Sequence, residues 1–294
     1  MQYYELIKKF KTHLTQLGYS QGSLRTMPNC ITEFFSIISS KKLHQLSIKD
    51  IEIYYTYLQN RPYKSNHKNK YQQGNTISES YVYSHITALK LFFNWLEITE
   101  QLRYNPISAM KFKKPINNER QPLSKAETEE LFTAAITVEE TTLLHIFYSC
   151  GLRKTEGKDL NINDINFKQK LLYVREGKFK KRRVIPITAK VAAALEKYYQ
   201  QHRNKINTTE KQAFFINGIK TRMSGDSMNK LLKKIVERTA ISRQISLHFL
   251  RHSIATHLLE SGLSIEFVSS FLGHSHLEST QIYTKVYRHQ LKKL

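Results

Sequence analysis

The stretch Lys111–Ser124, KFKKPINNERQPLS, constrains the fold of this chain most. It is polar and basic and carries two prolines, so it neither continues a helix nor serves as a central strand. It reads as an interdomain linker. Before it, apolar residues recur at helical spacing four times. Leu6, Ile7, Phe10, Leu14 and Leu17 form the first run, closed by Gly18, and Ile31, Phe34, Phe35 and Ile38 the second. Ile51, Tyr54, Tyr55 and Leu58 form the third, ended by Asn60-Arg61-Pro62. Val82, Ile86, Leu89, Phe93 and Leu96 form the fourth, in a region broken by Asn105-Pro106. No strand alternation interrupts them, so a small helical bundle is expected.

After the linker the pattern is mixed. Ser124-Lys-Ala-Glu127 reads as a capping box opening a helix. Leu143, Leu144, Phe147 and Tyr148 belong to a buried helix that stops at Gly151. LLYV (Leu171–Val174) and RVIPI (Arg183–Ile187) flank the basic turn EGKFKKR, which predicts a β-hairpin with an exposed tip. Helices are expected over Ala189–Gln201, Ser227–Ala240, Ser246–Ser261 and Ser264–Leu272, with a last short one near Ser279. The expected class is mainly α with a small β-hairpin or sheet. The expected division is a helical domain over 1–112, a linker over 113–123 and a mixed α+β domain over 124–294.

Charge then narrows the partner. Lys and Arg number 46 against 24 Asp and Glu, a formal net charge of +22. That is far beyond the roughly 2–8 charges that keep a small domain soluble. The excess is not a tail: Met1–Lys114 holds 16 basic and 7 acidic residues, Pro115–Leu294 holds 30 and 17. Such a field favours a polyanion, and nucleic acid first. The segment Pro62–Thr76, PYKSNHKNKYQQGNT, mixes lysines and aromatics without an apolar period. It is either a solvated loop or a DNA-contacting one that orders on binding. No apolar run reaches membrane-spanning length, and the N-terminus lacks an apolar secretion core. Cys30 and Cys150 alone make neither a disulfide framework nor a Cys-rich zinc site. A cytoplasmic protein is expected, with no membrane partner.

Several side chains gain meaning only together. Arg153 follows Gly151 at a helix boundary, with Glu156 three residues on. Lys178 lies at the hairpin tip. On the helix from Ser246, His248 and Arg251 are three apart beside the apolar stripe Leu247, Leu250, Ile254 and Leu258. His252 makes an i, i+4 pair with His248, but no nearby acidic residue completes a zinc site. His274 sits in the turn after Gly273, and Tyr283 comes nine residues later. Two guanidiniums can hold the non-bridging oxygens of one phosphodiester and neutralise the charge that grows in the transition state. A histidine can take a nucleophile's proton, a lysine can protonate the leaving oxygen, and a phenol can attack phosphorus. The covalent phosphotyrosine keeps the energy of the broken bond, so religation needs no ATP, and the sequence has no GxxxxGK[ST] loop. Arginines, histidines and a lysine also stand in for metal ions, so no metal and no cofactor are expected.

In this order, GLRKTE, GKFKKRRVIPI, HFLRHSIATHLLESG and LGHSHLESTQIYTKV resemble the tyrosine recombinase (phage integrase) family. The likeness spans about Cys150–Val286; the helical N-terminal segment fits the family's SAM-like core-binding domain by size and pattern. By this resemblance Arg153 and Arg251 clamp the phosphate. Lys178 is the general acid on the 5′ oxygen, with Lys180 as the alternative in a hairpin crowded by Lys181, Arg182 and Arg183. His248 is the general base or proton shuttle, His274 a further phosphate contact and Tyr283 the nucleophile. Glu156 supports the neighbourhood of Arg153. The implied protein is a two-domain clamp on double-stranded DNA at a specific recombination site. It would act as a homo-tetramer on paired sites, or with a paralogous recombinase. It would integrate or excise a mobile element, or resolve chromosome dimers as Xer proteins do. Gly157-Lys158 departs from the family's apolar continuation, so a loosened helix is expected there. The rivals are a type IB topoisomerase, a non-catalytic DNA-binding accessory protein, and a metal-dependent transposase using Asp159, Asp164 and Asp226.

Overall fold

The computed structural model describes residues 3–38, 41–62, 76–115, 121–175 and 182–273. The chain divides into two compact units, Met1–Asn118 and Glu119–Leu294. Among the described residues the first contains four α-helices, α1 (Tyr4–Gln16), α2 (Gln21–Ile37), α3 (Ile48–Asn60) and α4 (Glu79–Ile98). Hydroxyls cap two of them: the Ser20 Oγ accepts from the Ser23 N–H at 3.2 Å at the start of α2, and the Ser78 Oγ from the Tyr81 N–H at 3.3 Å at the start of α4. The four apolar stripes meet in one core, where Phe10, Phe34, Tyr54, Phe92 and Phe93 are fully buried. Their rings pack mostly edge to face, as between Phe34 and Tyr54 at 5.2 Å. Helix α4 ends at Ile98, well before the expected break at Asn105-Pro106, because Glu100 takes a positive φ of 54° and turns the chain. Pro62 and Thr76 face each other in an antiparallel bridge, and the Ile77 N–H donates to the Arg61 carbonyl at 3.2 Å. The basic segment between them, 63–75, lies outside the described residues.

The second unit begins with α5 (Lys125–Ala134), opened by the expected capping box, in which the Ser124 N–H donates to Glu127 Oε2 at 2.7 Å. Helix α6 (Val138–Leu144) runs on through a π turn, His145–Ser149, closed by the Cys150 N–H on the His145 carbonyl at 2.9 Å. Gly151, at φ 60°, then redirects the chain into α7 (Lys154–Asp159). Three antiparallel strands follow, β1 (Ile165–Asn166), β2 (Leu171–Val174) and β3 (Arg183–Pro186), in that order across the sheet. Helices α8 (Ala189–Gln201), α9 (Gly225–Val236), α10 (Leu247–Glu260) and α11 (Ile265–Leu272) complete the described part. The last short helix expected near Ser279 lies outside it.

Two expectations change in this unit. The helix expected over Ser227–Ala240 begins at Gly225, because the Ser224 Oγ caps it by accepting from the Ser227 N–H at 3.1 Å. The loosening expected at Gly157-Lys158 is absent. Helix α7 runs through Gly157, where a Cβ would lie 2.3 Å from Phe147 Cζ. The glycine is there so that α7 can approach the Phe147 ring.

Helix α10 runs through the centre of this unit. Its Ser253 Oγ accepts from the Leu123 N–H at 2.8 Å and donates to the Phe249 carbonyl at 2.9 Å. His257 places Nε2 2.8 Å from the Leu123 carbonyl, so that nitrogen carries the proton and Nδ1 accepts from the Tyr148 hydroxyl at 2.8 Å. Burial lowers the His257 pKa, which keeps the ring neutral in this role. Both contacts hold α10 against the start of the unit.

Candidate active site

The site is built around one carboxylate. Glu156 lies in the first turn of α7, and its side chain is 1% exposed. Its Oε2 accepts from the Arg153 backbone N–H at 2.8 Å, which caps the helix, and from Arg183 Nη2 at 2.8 Å. Its Oε1 accepts from Arg153 Nη1 at 2.7 Å and from Arg183 Nη1 at 3.0 Å. Arg251 Nη1 lies 3.9 Å from Oε2. Burial alone would raise the carboxyl pKa, but the Arg183 and Arg153 guanidiniums override it and lower it to about 2. One carboxylate therefore faces three guanidiniums, and the cluster keeps a local excess of positive charge.

The same guanidiniums hold the end of α11. Arg183 Nε donates to the Phe271 carbonyl at 3.0 Å, Arg251 Nη2 to the Leu272 carbonyl at 2.7 Å and Arg153 Nη2 to the Gly273 carbonyl at 2.7 Å. Three consecutive carbonyls at the negative end of a helix thus meet three different arginines. Arg251 Nη1 also donates to the Gly151 carbonyl. Gly273 adopts φ 65°, the left-handed conformation that closes a helix, directly before His274.

The structure therefore brings Arg251, from far along the sequence, to the neighbouring pair Arg153 and Glu156. Arg251 is fully buried on α10, and His248, one turn earlier on that helix, is exposed. The side chain of Arg153 is 20% exposed, open enough for a phosphate to reach. Lys178, His274 and Tyr283 lie outside the described residues, as does Lys180. The hairpin that carries Lys178 is described at its base, where Val174 pairs with Arg183 and Leu172 with Ile185.

Arg183 is the site residue that the sequence does not single out. It stands in β3, as the run RVIPI predicts, with a side chain only 9% exposed. The signal was the alternation along the strand. Arg183 shares a face with Ile185, which is fully buried, whereas Val184 is exposed. An arginine on the inward face of a strand needs an anion, and Glu156 supplies it.

Among the described residues no group of three His, Cys, Asp or Glu side chains is placed to hold a metal ion. Asp159, Asp164 and Asp226 do not converge. Asp159 pairs with Lys158 at 3.6 Å, Asp226 with Lys154 at 3.3 Å, and Asp164 with Arg175.

Solved structures share this architecture. The integrase of the Tn1549 transposon, in complex with a circular intermediate DNA, superimposes with a TM-score of 0.73, over 98% of this chain and 99% of that one, at 16% identity. A lambda integrase dimer bound to a COC′ core site gives 0.72 over 95% and 94%, at 16% identity. At these identities the likeness is one of fold alone. In sequence, the phage integrase family matches residues 121–290. The tyrosine recombinase XerC of Oceanobacillus iheyensis is 30% identical over 256 residues, covering 84% of this chain and 79% of that protein. XerC of Anoxybacillus flavithermus is 28% identical over 286 residues, 94% and 90% of the two chains. The chain belongs to the phage integrase family of tyrosine recombinases, enzymes that cut and rejoin DNA. The comparisons lend the topoisomerase alternative no support.

Proposed function

We propose that this recombinase binds double-stranded DNA at a specific site and cleaves one strand through a 3′-phosphotyrosyl intermediate at Tyr283. The observation that carries the reading is the convergence of Arg153 and Arg251 on Glu156. Arg153, 20% exposed, is preorganised for a non-bridging oxygen of the phosphodiester, and Arg251, buried behind it on the Gly151 and Leu272 carbonyls, adds positive charge and exchanges one of those bonds to reach the phosphate itself. In the reaction the Tyr283 phenol oxygen attacks phosphorus and its proton passes to His248. The bond from phosphorus to the 5′ oxygen breaks, and Lys178 protonates that oxygen. His274 adds a contact to the phosphate. Attack by a 5′ hydroxyl from a partner duplex reverses these steps and joins the exchanged strand, with no metal, cofactor or ATP. Four copies on two paired sites, or two copies with two of a paralogue, complete the exchange. The basic excess of +22 supplies phosphate affinity without choosing a sequence. Among the described residues no helix is long and apolar enough to cross a membrane, and a cytoplasmic site of action fits a DNA substrate.

Covalent trapping tests this. The protein is expressed in its host, the lysate is denatured with detergent, and DNA still attached to protein is sequenced. One locus is expected for wild type, and none for Tyr283→Phe, which should still bind DNA. A terminus-like locus marks dimer resolution; element ends mark integration or excision. No adduct from wild type overturns the reading.

A further inference from the structure

We propose that Arg183 is a positioning residue of the strand-cleavage reaction, acting through Glu156 on the phosphate-clamping Arg153. The proposal rests on the clamp role assigned to Arg153 above. Its basis is the geometry of a shared carboxylate. Arg183 binds Glu156 as a fork, one N–H to each oxygen, at 3.0 and 2.8 Å. Such a bidentate pair fixes the plane of the carboxylate as well as its position. Arg153 binds the same carboxylate by one guanidinium nitrogen, at 2.7 Å. The orientation of Arg153 is therefore set by a carboxylate that Arg183 holds still.

Arg183 also ties that carboxylate to the next chain segment. Its Nε holds the Phe271 carbonyl at 3.0 Å, while Arg153 holds the Gly273 carbonyl at 2.7 Å. Two guanidiniums thus span in parallel from Glu156 to the last turn of α11. Arg183 itself is 9% exposed against 20% for Arg153, so it is the inner of the two and the less available to a ligand. Without Arg183 the carboxylate keeps Arg153 and Arg251 nearby, so the site stays charged and populated but is free to rock. Lysine at this position keeps the charge yet cannot make the fork.

The test uses the full-length protein and single-turnover cleavage of a nicked duplex, with bound DNA saturating. Two duplexes are compared. One has the natural phosphodiester; the other carries a methyl group in place of one non-bridging oxygen, so its transition state has less charge for arginines to neutralise. Arg183→Gln, Arg183→Lys and Arg153→Ala are each measured against wild type on both. The expected result is a loss of about 10²-fold for each Arg183 variant on the phosphodiester, the scale of a misplaced catalytic group. The loss should shrink at least about tenfold on the neutral linkage, in parallel with Arg153→Ala, if Arg153 stabilises that charge. DNA affinity should stay near wild type. A merely structural role lowers both linkages equally, because it reduces the fraction of competent enzyme. Equal losses for the Arg183 variants, beside a shrinking loss for Arg153→Ala, overturn the proposal. Equal losses for Arg153→Ala as well overturn the clamp reading and the proposal with it. If Arg183→Gln fails to fold, Arg183→Lys carries the same comparison.

Discussion

The two units of this protein solve burial in opposite ways. The core of the first is aromatic and aliphatic, and its buried charged or ionisable side chains are few, Asp50 and His85 among them. The second buries Glu140, Glu156, Asp164, Arg203, Arg251 and His257 alongside its apolar residues. Apolar packing is forgiving, since any side chains of suitable volume and pattern will stabilise it. A buried ion cluster is not, because each charge loses its hydration and must be answered by a partner at the right distance. The second unit accepts that cost at several places, the candidate site around Glu156 among them. Helix α10 shows both modes at once: its Leu250 is core, and Arg251 beside it is equally buried but held by the Gly151 and Leu272 carbonyls.

The contrast should be visible in how stability responds to pH. Phe34→Ala is expected to cost about 3–5 kcal/mol, from lost burial and the cavity left behind. Urea unfolding should return the same loss at pH 7 and at pH 3. Glu156 should behave differently. Its folded pKa of about 2 lies below its ordinary value of 4.5, so its contribution is fully present above pH 4.5 and is lost as pH falls toward 2. That difference is on the order of 3 kcal/mol. The stability gap between wild type and Glu156→Gln should therefore be wide at pH 7 and narrow steadily below pH 4.5. A gap independent of pH would mean that the carboxylate is held by shape and not by the arginines. A smaller effect is expected at Gly157→Ala. Alanine gains about 1 kcal/mol of helix propensity over glycine. The added Cβ would sit 2.3 Å from the Phe147 ring, and overpacking of that kind costs about 1–3 kcal/mol. Net destabilisation of about 1 kcal/mol is expected in the same urea titration. A more stable variant would show that Phe147 can move aside.

Much of this fold is legible in the sequence because it rests on local rules. The four N-terminal helices follow from apolar spacing, the start of α5 from Ser124 and Glu127, and the hairpin from two β-rich runs around a basic turn. The unread parts lack a local signal. Strand β1 is two residues, Ile165–Asn166, too short to alternate. The π turn at His145–Ser149 changes the register of a helix without changing its composition. In the site, Arg153, Glu156 and Arg251 could be singled out because side chains carry them. Among their partners are the carbonyls of Gly151, Leu272 and Gly273, and a backbone carbonyl has no letter in a sequence. Arg183 had a signal, its shared face with Ile185, that the density of neighbouring lysines and arginines concealed.

The finest comparison isolates the arginine cluster from ordinary backbone strain. Gly18 follows α1 at φ 74°, and Gly273 follows α11 at φ 65°. Alanine at either pays the left-handed penalty of about 1–2 kcal/mol. At Gly18 a new Cβ meets nothing within 4 Å, so Gly18→Ala should cost that penalty alone. At Gly273 it would lie 2.9 Å from Arg183 Nη1 and 3.0 Å from its Cδ. A long side chain usually yields to such a contact. Here Arg183 is held at three points, by both oxygens of Glu156 and by the Phe271 carbonyl, so giving way breaks bonds. Gly273→Ala should therefore cost about 1 kcal/mol more than Gly18→Ala, and it alone should slow cleavage. Equal costs in unfolding, with cleavage untouched in both, would show that Arg183 is looser than its contacts imply.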